Sequence, residues 1–122
     1  MSLKFEKLEV WQKAIDYSLA IHKITRQFPK EELYILTAQI KRAADSISLN
    51  ISEGSMGSSN KQFNSFLGHA LRSSLEVATC LHLAKKRELI NSGEFDKLYH
   101  EVIIIIRMIQ ALRNSITKSI TA

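Results

Sequence analysis

Proline and cysteine each occur once in this 122-residue chain, and glycine only four times. A lone cysteine, Cys80, closes no internal disulfide; it fits a reducing compartment or a purely structural role. So few glycines and prolines leave little turn chemistry for a hairpin-rich fold. The longest uninterrupted apolar run, Val102 to Ile106, is five residues, far too short to span a bilayer. The opening segment, MSLKFEKLEVW, holds no apolar stretch of signal-peptide length, so a soluble cytoplasmic protein with no membrane partner is expected.

The usual signatures of catalysis are missing as well. The histidines are His22, His69, His82 and His100; none has a second histidine four residues away and none stands three residues after a glutamate. The Glu-x-x-His element of carboxylate di-iron bundles is therefore absent, and no metal site or cofactor is expected. Cys80 and His82 are two apart, which points them in different directions on a helix. Cys80 sits in an apolar stretch, where thiols are usually inert fillers. No serine lies in a Gly-x-Ser-x-Gly turn. The segment GSMGSSN (54–60) precedes a helix but lacks the preceding strand and the Gly-Lys-Ser/Thr ending of a phosphate loop. It reads as a solvated interhelical loop, able at most to hold an anion at the start of the next helix. No acid, base and nucleophile come together, so the chain reads as non-enzymatic.

What is present is helical periodicity. Val10, Ala14, Tyr17, Ile21, Ile24 and Phe28 recur at steps of three and four, predicting helix 1 over about 7–27. Leu8, Trp11, Ile15 and Ser18 form a neighbouring row, so the apolar stripe is wide. Helix 2 is predicted from Pro29, with Glu31 and Glu32 at the positive end of its dipole and Leu33, Leu36, Ile40, Ala43, Ile47 and Ile51 buried. Gly54 is expected to begin its exit through a left-handed cap. Ser59-x-x-Gln62 is a capping box for helix 3, whose apolar row is Phe63, Phe66, Leu67, Ala70, Leu71, Leu75, Ala78 and Leu81. The small residues Ala70, Ser73, Ser74 and Ala78 allow close approach of a partner helix. Asn91-x-x-Glu94, with Ser92 as a second cap candidate, opens helix 4, carrying Phe95, Leu98, Val102, Ile105, Ile106, Ile109, Leu112, Ile116 and Ile120. The Val-Ile-Ile-Ile-Ile run favours a strand by propensity, but it lies inside a sustained helical period, and the period should prevail. Its five consecutive apolar residues must cover every side of the helix, which predicts an oligomer burying a second face. No repeat, low-complexity tract or linker divides residues 1–122. The expected architecture is all-α: one antiparallel, up-down-up-down four-helix bundle domain.

Two polar features stand out against that frame. Ser46, Asn50 and Glu53, spaced by four and three, share a face of helix 2 beside the Ile47–Ile51 row. They read as a polar lock that positions helix 2 and the loop after it. A carboxylate near a helix C-terminus is disfavoured by the dipole, so Glu53 should have a compensating donor. The second feature is charge. The net charge is +5, with a pI near 9.5. Residues 61–90 hold five basic residues against Glu76 and Glu88, and residues 102–122 hold no acid. Candidate phosphate contacts are Lys41, Arg42, Arg72, Lys85, Lys86, Arg87, Arg107 and Arg113. No aromatic alternates with them, and no helix-turn-helix or zinc finger appears, so any binding should be backbone-driven and largely sequence-blind.

The stretch 28–54, FPKEELYILTAQIKRAADSISLNISEG, taken with Val10-Trp11, Ala14, Phe63, Phe66-Leu67, Ala70, Ser73 and Glu76, resembles the family of four-helix-bundle proteins encoded in intervening sequences of bacterial 23S ribosomal RNA genes. The accessory variability determinant of diversity-generating retroelements is a relative. The resemblance implies a ring-shaped homopentamer with a basic surface or channel, and a nucleic-acid or nucleic-acid-processing protein partner. Two positions depart from the pattern: Gly57 stands where many relatives have arginine, and Arg72 where many have glycine. The expectation is a homo-oligomeric, non-enzymatic module for structured RNA, DNA or a nucleoprotein; the alternative is a protein-only scaffold whose basic charge is incidental.

Overall fold

The periodic runs become four helices in the computed structural model of the chain, which describes residues 2–57 and 59–121, with side chains as far as Lys118. These are α1 (Glu9–Ile24), α2 (Ala38–Ser55), α3 (Asn60–Lys86) and α4 (Ser92–Thr121). There is no strand among the described residues. Ser58 of the loop and the Ile120 side chain lie outside what is described. Contacts between helices run in opposite order along the chain. Glu32, Gln39 and Ser46 meet Arg87, Glu76 and Ser73, and Asn64 and Lys85 meet Arg113 and Phe95. The pairs α2/α3 and α3/α4 are thus antiparallel.

One core fills the bundle. It takes Val10, Ala14, Tyr17 and Ile21 from α1, Ile40, Ala43, Ile47 and Ile51 from α2, and Phe63, Leu67, Ala70, Val77 and Leu81 from α3. From α4 come Phe95, Leu98, Val102, Ile105, Ile109 and Ile116. The five-residue apolar run is helical, as its surroundings dictate. Val102 and Ile105 are buried, and Ile103, Ile104 and Ile106 are half-buried. None of these five residues is exposed in the single chain. Among the described residues the large exposed apolar side chains are elsewhere: Leu3 near the N-terminus, Ile15 and Leu19 on α1, Leu49 on α2, Met56 after it, Leu75 and Leu83 on α3, and the segment before α2. Leu75, expected in the core row of α3, is 50% exposed, and Val77 and Cys80 fill the core instead.

The helix ends show how local chemistry sets the boundaries. Ser59 Oγ accepts the Gln62 N–H at 3.1 Å and starts α3. The Asn91–Glu94 capping box is complete: Asn91 Oδ1 accepts the Glu94 N–H at 2.8 Å, and Glu94 Oε1 accepts the Asn91 N–H at 2.9 Å. Helix 2 departs from expectation. Pro29 is the extended residue before the first turn, not part of it. A 3-10 turn, Lys30–Glu32, and a π-helical turn, Leu33–Thr37, follow before regular α-helix begins. The wider π turn changes the register, so Leu36 and Ile40 remain buried while Leu33 leaves the core face for the surface. Gly54 is also not a left-handed cap; none of the glycines has positive φ. It is buried inside α2, where a Cβ would lie 2.6 Å from Phe66 Cβ. Its role is to let α3 approach.

Candidate nucleic-acid interface

Four of the eight basic residues singled out by sequence are engaged with the protein itself. Arg87 Nη1 donates to both carboxylate oxygens of Glu32, at 3.0 and 3.3 Å, tying the end of α3 to the start of helix 2. The Lys85 ammonium sits 4.6 Å from the Phe95 ring centroid, a cation–π contact across α3 and α4. Phe95 in turn stacks on Tyr99, with His82 edge-on to both. Arg113 Nε donates to Asn64 Oδ1 at 3.3 Å, and its guanidinium lies over Gly68. Arg72 Nη2 lies 2.7 Å from His69 Nδ1. Arg42, Lys86 and Arg107 are exposed, on α2, α3 and α4 respectively. These side chains are spread over three helices, and the 85–87 cluster spends two of its three cations on internal contacts.

The concentrated positive charge lies elsewhere. Where α1 passes into helix 2, a cleft of about 410 Å³ is walled by His22, Arg26, Lys30 and Lys41, with Phe28, Pro29, Leu33, Thr25 and Thr37. No carboxylate is among the walls. Behind one wall, Asp45 accepts from Ser18 Oγ and pairs with His22 Nε2 at 2.9 Å. Only Lys41 of the four basic walls is among the residues that charge counting selects. Arg26 and Lys30 belong to the balanced first half of the chain, where a net count hides them. The legible signal was local: His22 and Arg26 are one helical turn apart, and Lys30 follows directly on the proline that reverses the chain.

Of the trio Ser46, Asn50 and Glu53, two are hydrogen-bonded to each other. Asn50 Nδ2 donates to Ser46 O at 2.8 Å and to Ser46 Oγ at 2.9 Å, both within α2. The bond that crosses between helices comes from Ser73 Oγ, which donates to Ser46 Oγ at 3.0 Å. Glu53 is exposed and has no hydrogen-bond partner among the described residues, so the single chain supplies no compensating donor there.

Two other recesses are less suited to an anion or carry less charge. Between α1 and α4, a recess of about 260 Å³ has mixed-sign walls, Lys13 with Asp16 and Glu101, around Tyr17. The Tyr17 hydroxyl donates to Leu98 O at 2.9 Å, and burial, aided by the Glu101 charge, raises its pKa well above the ordinary 10.0. At the α2–α3 loop, Lys4 is the only cation in a recess of about 330 Å³. The Cys80 thiol is buried in the core. Burial foremost, with the Glu76 charge adding and Arg87 opposing, pushes its pKa up to about 11, so it is a poor nucleophile near neutrality. Among the described residues no group of three or more His, Cys, Asp or Glu is placed to hold a metal ion, and no helix is long and apolar enough to cross a membrane.

The same fold is seen in a crystal structure from Bacteroides thetaiotaomicron VPI-5482, of a protein with unknown function from the S23 ribosomal protein family. It is 22% identical, covers 86% of this chain and 95% of that one, and superposes with a TM-score of 0.81. No curated protein matches the chain. The 23S rRNA-intervening sequence protein family matches residues 6–111, from just before α1 to deep in α4, and the chain belongs to that family.

Proposed function

We propose that this protein is a non-catalytic, cytoplasmic module that assembles with copies of itself and binds structured nucleic acid, free or in a nucleoprotein, through a basic surface. The observation that carries the reading is the junction cleft, with four basic walls and no acidic one. A concave surface of one sign focuses potential and raises the local concentration of a polyanion. The net charge of +5 acts in the same direction. One chain offers few clustered cations. A ring of copies, a homopentamer on the family resemblance, brings several clefts to one polymer and releases counterions in proportion. Exposed Ile15, Leu19 and Leu49 supply apolar surface for such assembly.

The test is a gel shift with ribosomal RNA fragments and mixed-sequence duplex DNA at about 50 mM salt, where phosphate contacts are strong, repeated at about 200 mM. Weakly sequence-dependent binding that falls steeply with salt is expected. No shift with either polymer would leave a protein-only scaffold as the better account, a reading that the same exposed apolar residues favour. Light scattering checks assembly separately: a 13.9 kDa monomer at micromolar concentration would overturn that part.

A further inference from the structure

The π-helical turn that borders the junction cleft buries Leu36 but presents three other apolar side chains to solvent. Leu33 and Ile35 are exposed, and Tyr34 between them is 88% exposed. Leu33 and Thr37, at the two ends of that turn, are walls of the cleft, so Tyr34 stands on the turn that forms its rim. A nearly bare aromatic side chain contributes nothing to the core. The cleft itself carries Arg26 and Lys30, both exposed, and Lys41, half-buried. Phe28 adds an apolar wall.

Resting on the nucleic-acid reading above, we propose that this junction is a site for an unpaired nucleotide. The Arg26, Lys30 and Lys41 cations hold its phosphate, and Tyr34 stacks on a base. Three features favour that occupant. The cleft, about 410 Å³, falls in the size range of small-ligand sites, large enough for one nucleotide rather than for a duplex. Its charge is complementary to phosphate, with Asp45 already committed to Ser18 and His22. The exposed ring supplies the π-face that successive cations alone lack, and paired bases, stacked in their helix, have no free face to offer it. No aromatic alternates with the candidate cations of α3 and α4, but Arg26, Phe28, Lys30 and Tyr34 alternate within residues 26–34. The fold adds Lys41 to the cleft that Arg26, Phe28 and Lys30 line, with Tyr34 on the turn at its rim.

Fluorescence anisotropy with a labelled single-stranded oligonucleotide and a hairpin of equal charge, its stem fully paired and its loop replaced by a non-nucleotide linker, tests the site on the assembled protein. The single strand should bind more tightly than the hairpin. Tyr34→Ala should weaken single-strand binding about ten-fold and leave hairpin binding unchanged, the size expected for loss of one stacked base. The double variant Arg26→Glu/Lys30→Glu should weaken both and flatten the salt dependence, whereas Lys86→Glu should do so less. All these side chains are exposed, so thermal melting should show each variant folded. If the wild type binds nucleic acid but the Tyr34 and Arg26/Lys30 variants bind the single strand as it does, the junction site is wrong while the broader reading stands. Equal affinity for strand and hairpin also overturns the site. No binding of either ligand overturns both readings.

Discussion

Ser73 Oγ on α3 donates a hydrogen bond of 3.0 Å to Ser46 Oγ on α2, and the same Ser46 oxygen accepts from Asn50 Nδ2. One small hydroxyl thus joins a bond between helices to a bond within one. Replacing Ser46 by Ala removes the shared acceptor and leaves the half-buried Ser73 hydroxyl unpaired, with an expected loss of about 1–2 kcal/mol. Asn50→Ala should be much milder, within about 0.5 kcal/mol, because Asn is the poorer helix former and both its bonds stay inside α2. Urea denaturation of the two variants checks the order; a larger loss for Asn50→Ala would place the lock on Asn50 instead.

Gly54→Ala should destabilise despite the better helix propensity of alanine. The new methyl would stand 2.6 Å from Phe66 Cβ and 3.0 Å from Phe63 Cδ1. Phe66 Cβ is fixed to its backbone, so α2 and α3 must separate locally. Overpacking of this kind costs about 1–3 kcal/mol, against a propensity gain of at most about 1 kcal/mol. A fall in melting temperature is the expected readout.

Glu88→Gly should stabilise. Glu88 is the described non-glycine residue with positive φ, at 60°. It ends α3 in the left-handed conformation, with the Leu89 N–H bonded to Ala84 O at 2.9 Å and the Glu88 N–H to Lys85 O at 3.0 Å. A side chain there costs about 1 kcal/mol that glycine does not. The denaturation midpoint should rise with an unchanged slope.

Tyr17 predicts an alkaline limit. Its folded pKa lies above the ordinary 10.0, chiefly through burial, so the folded chain keeps this proton when the unfolded chain has lost it. Its contribution to stability is complete below pH 10 and declines as pH rises beyond that, by up to about 1.4 kcal/mol per pH unit. Tyr17→Phe should lose about 1 kcal/mol at neutral pH with the bond to Leu98 O, then show a shallower decline between about pH 10 and 11. Equal slopes for both proteins in that interval would exclude Tyr17 as the group responsible.

Much of this protein is determined locally and was therefore legible in its sequence. The steps of three and four that bury Val10, Ala14, Tyr17 and Ile21, and the paired caps at Ser59 and Asn91, depend only on residues within a turn or two of each other. The helical fate of the Val102–Ile106 run follows from its neighbours in the same way. Tertiary structure decided what depends on distant partners. Whether Gly54 is a cap or a contact point was settled by Phe66 on another helix. Which cations remain available was settled by partners on other elements: Glu32 and Asn64, far in sequence from Arg87 and Arg113, and Phe95 on the helix after Lys85. The basic cleft exists because a chain reversal at Pro29 carries Lys30 and Lys41 back beside His22 and Arg26. Periodicity reports which way a side chain points from its own helix; it carries no information about what the fold places opposite.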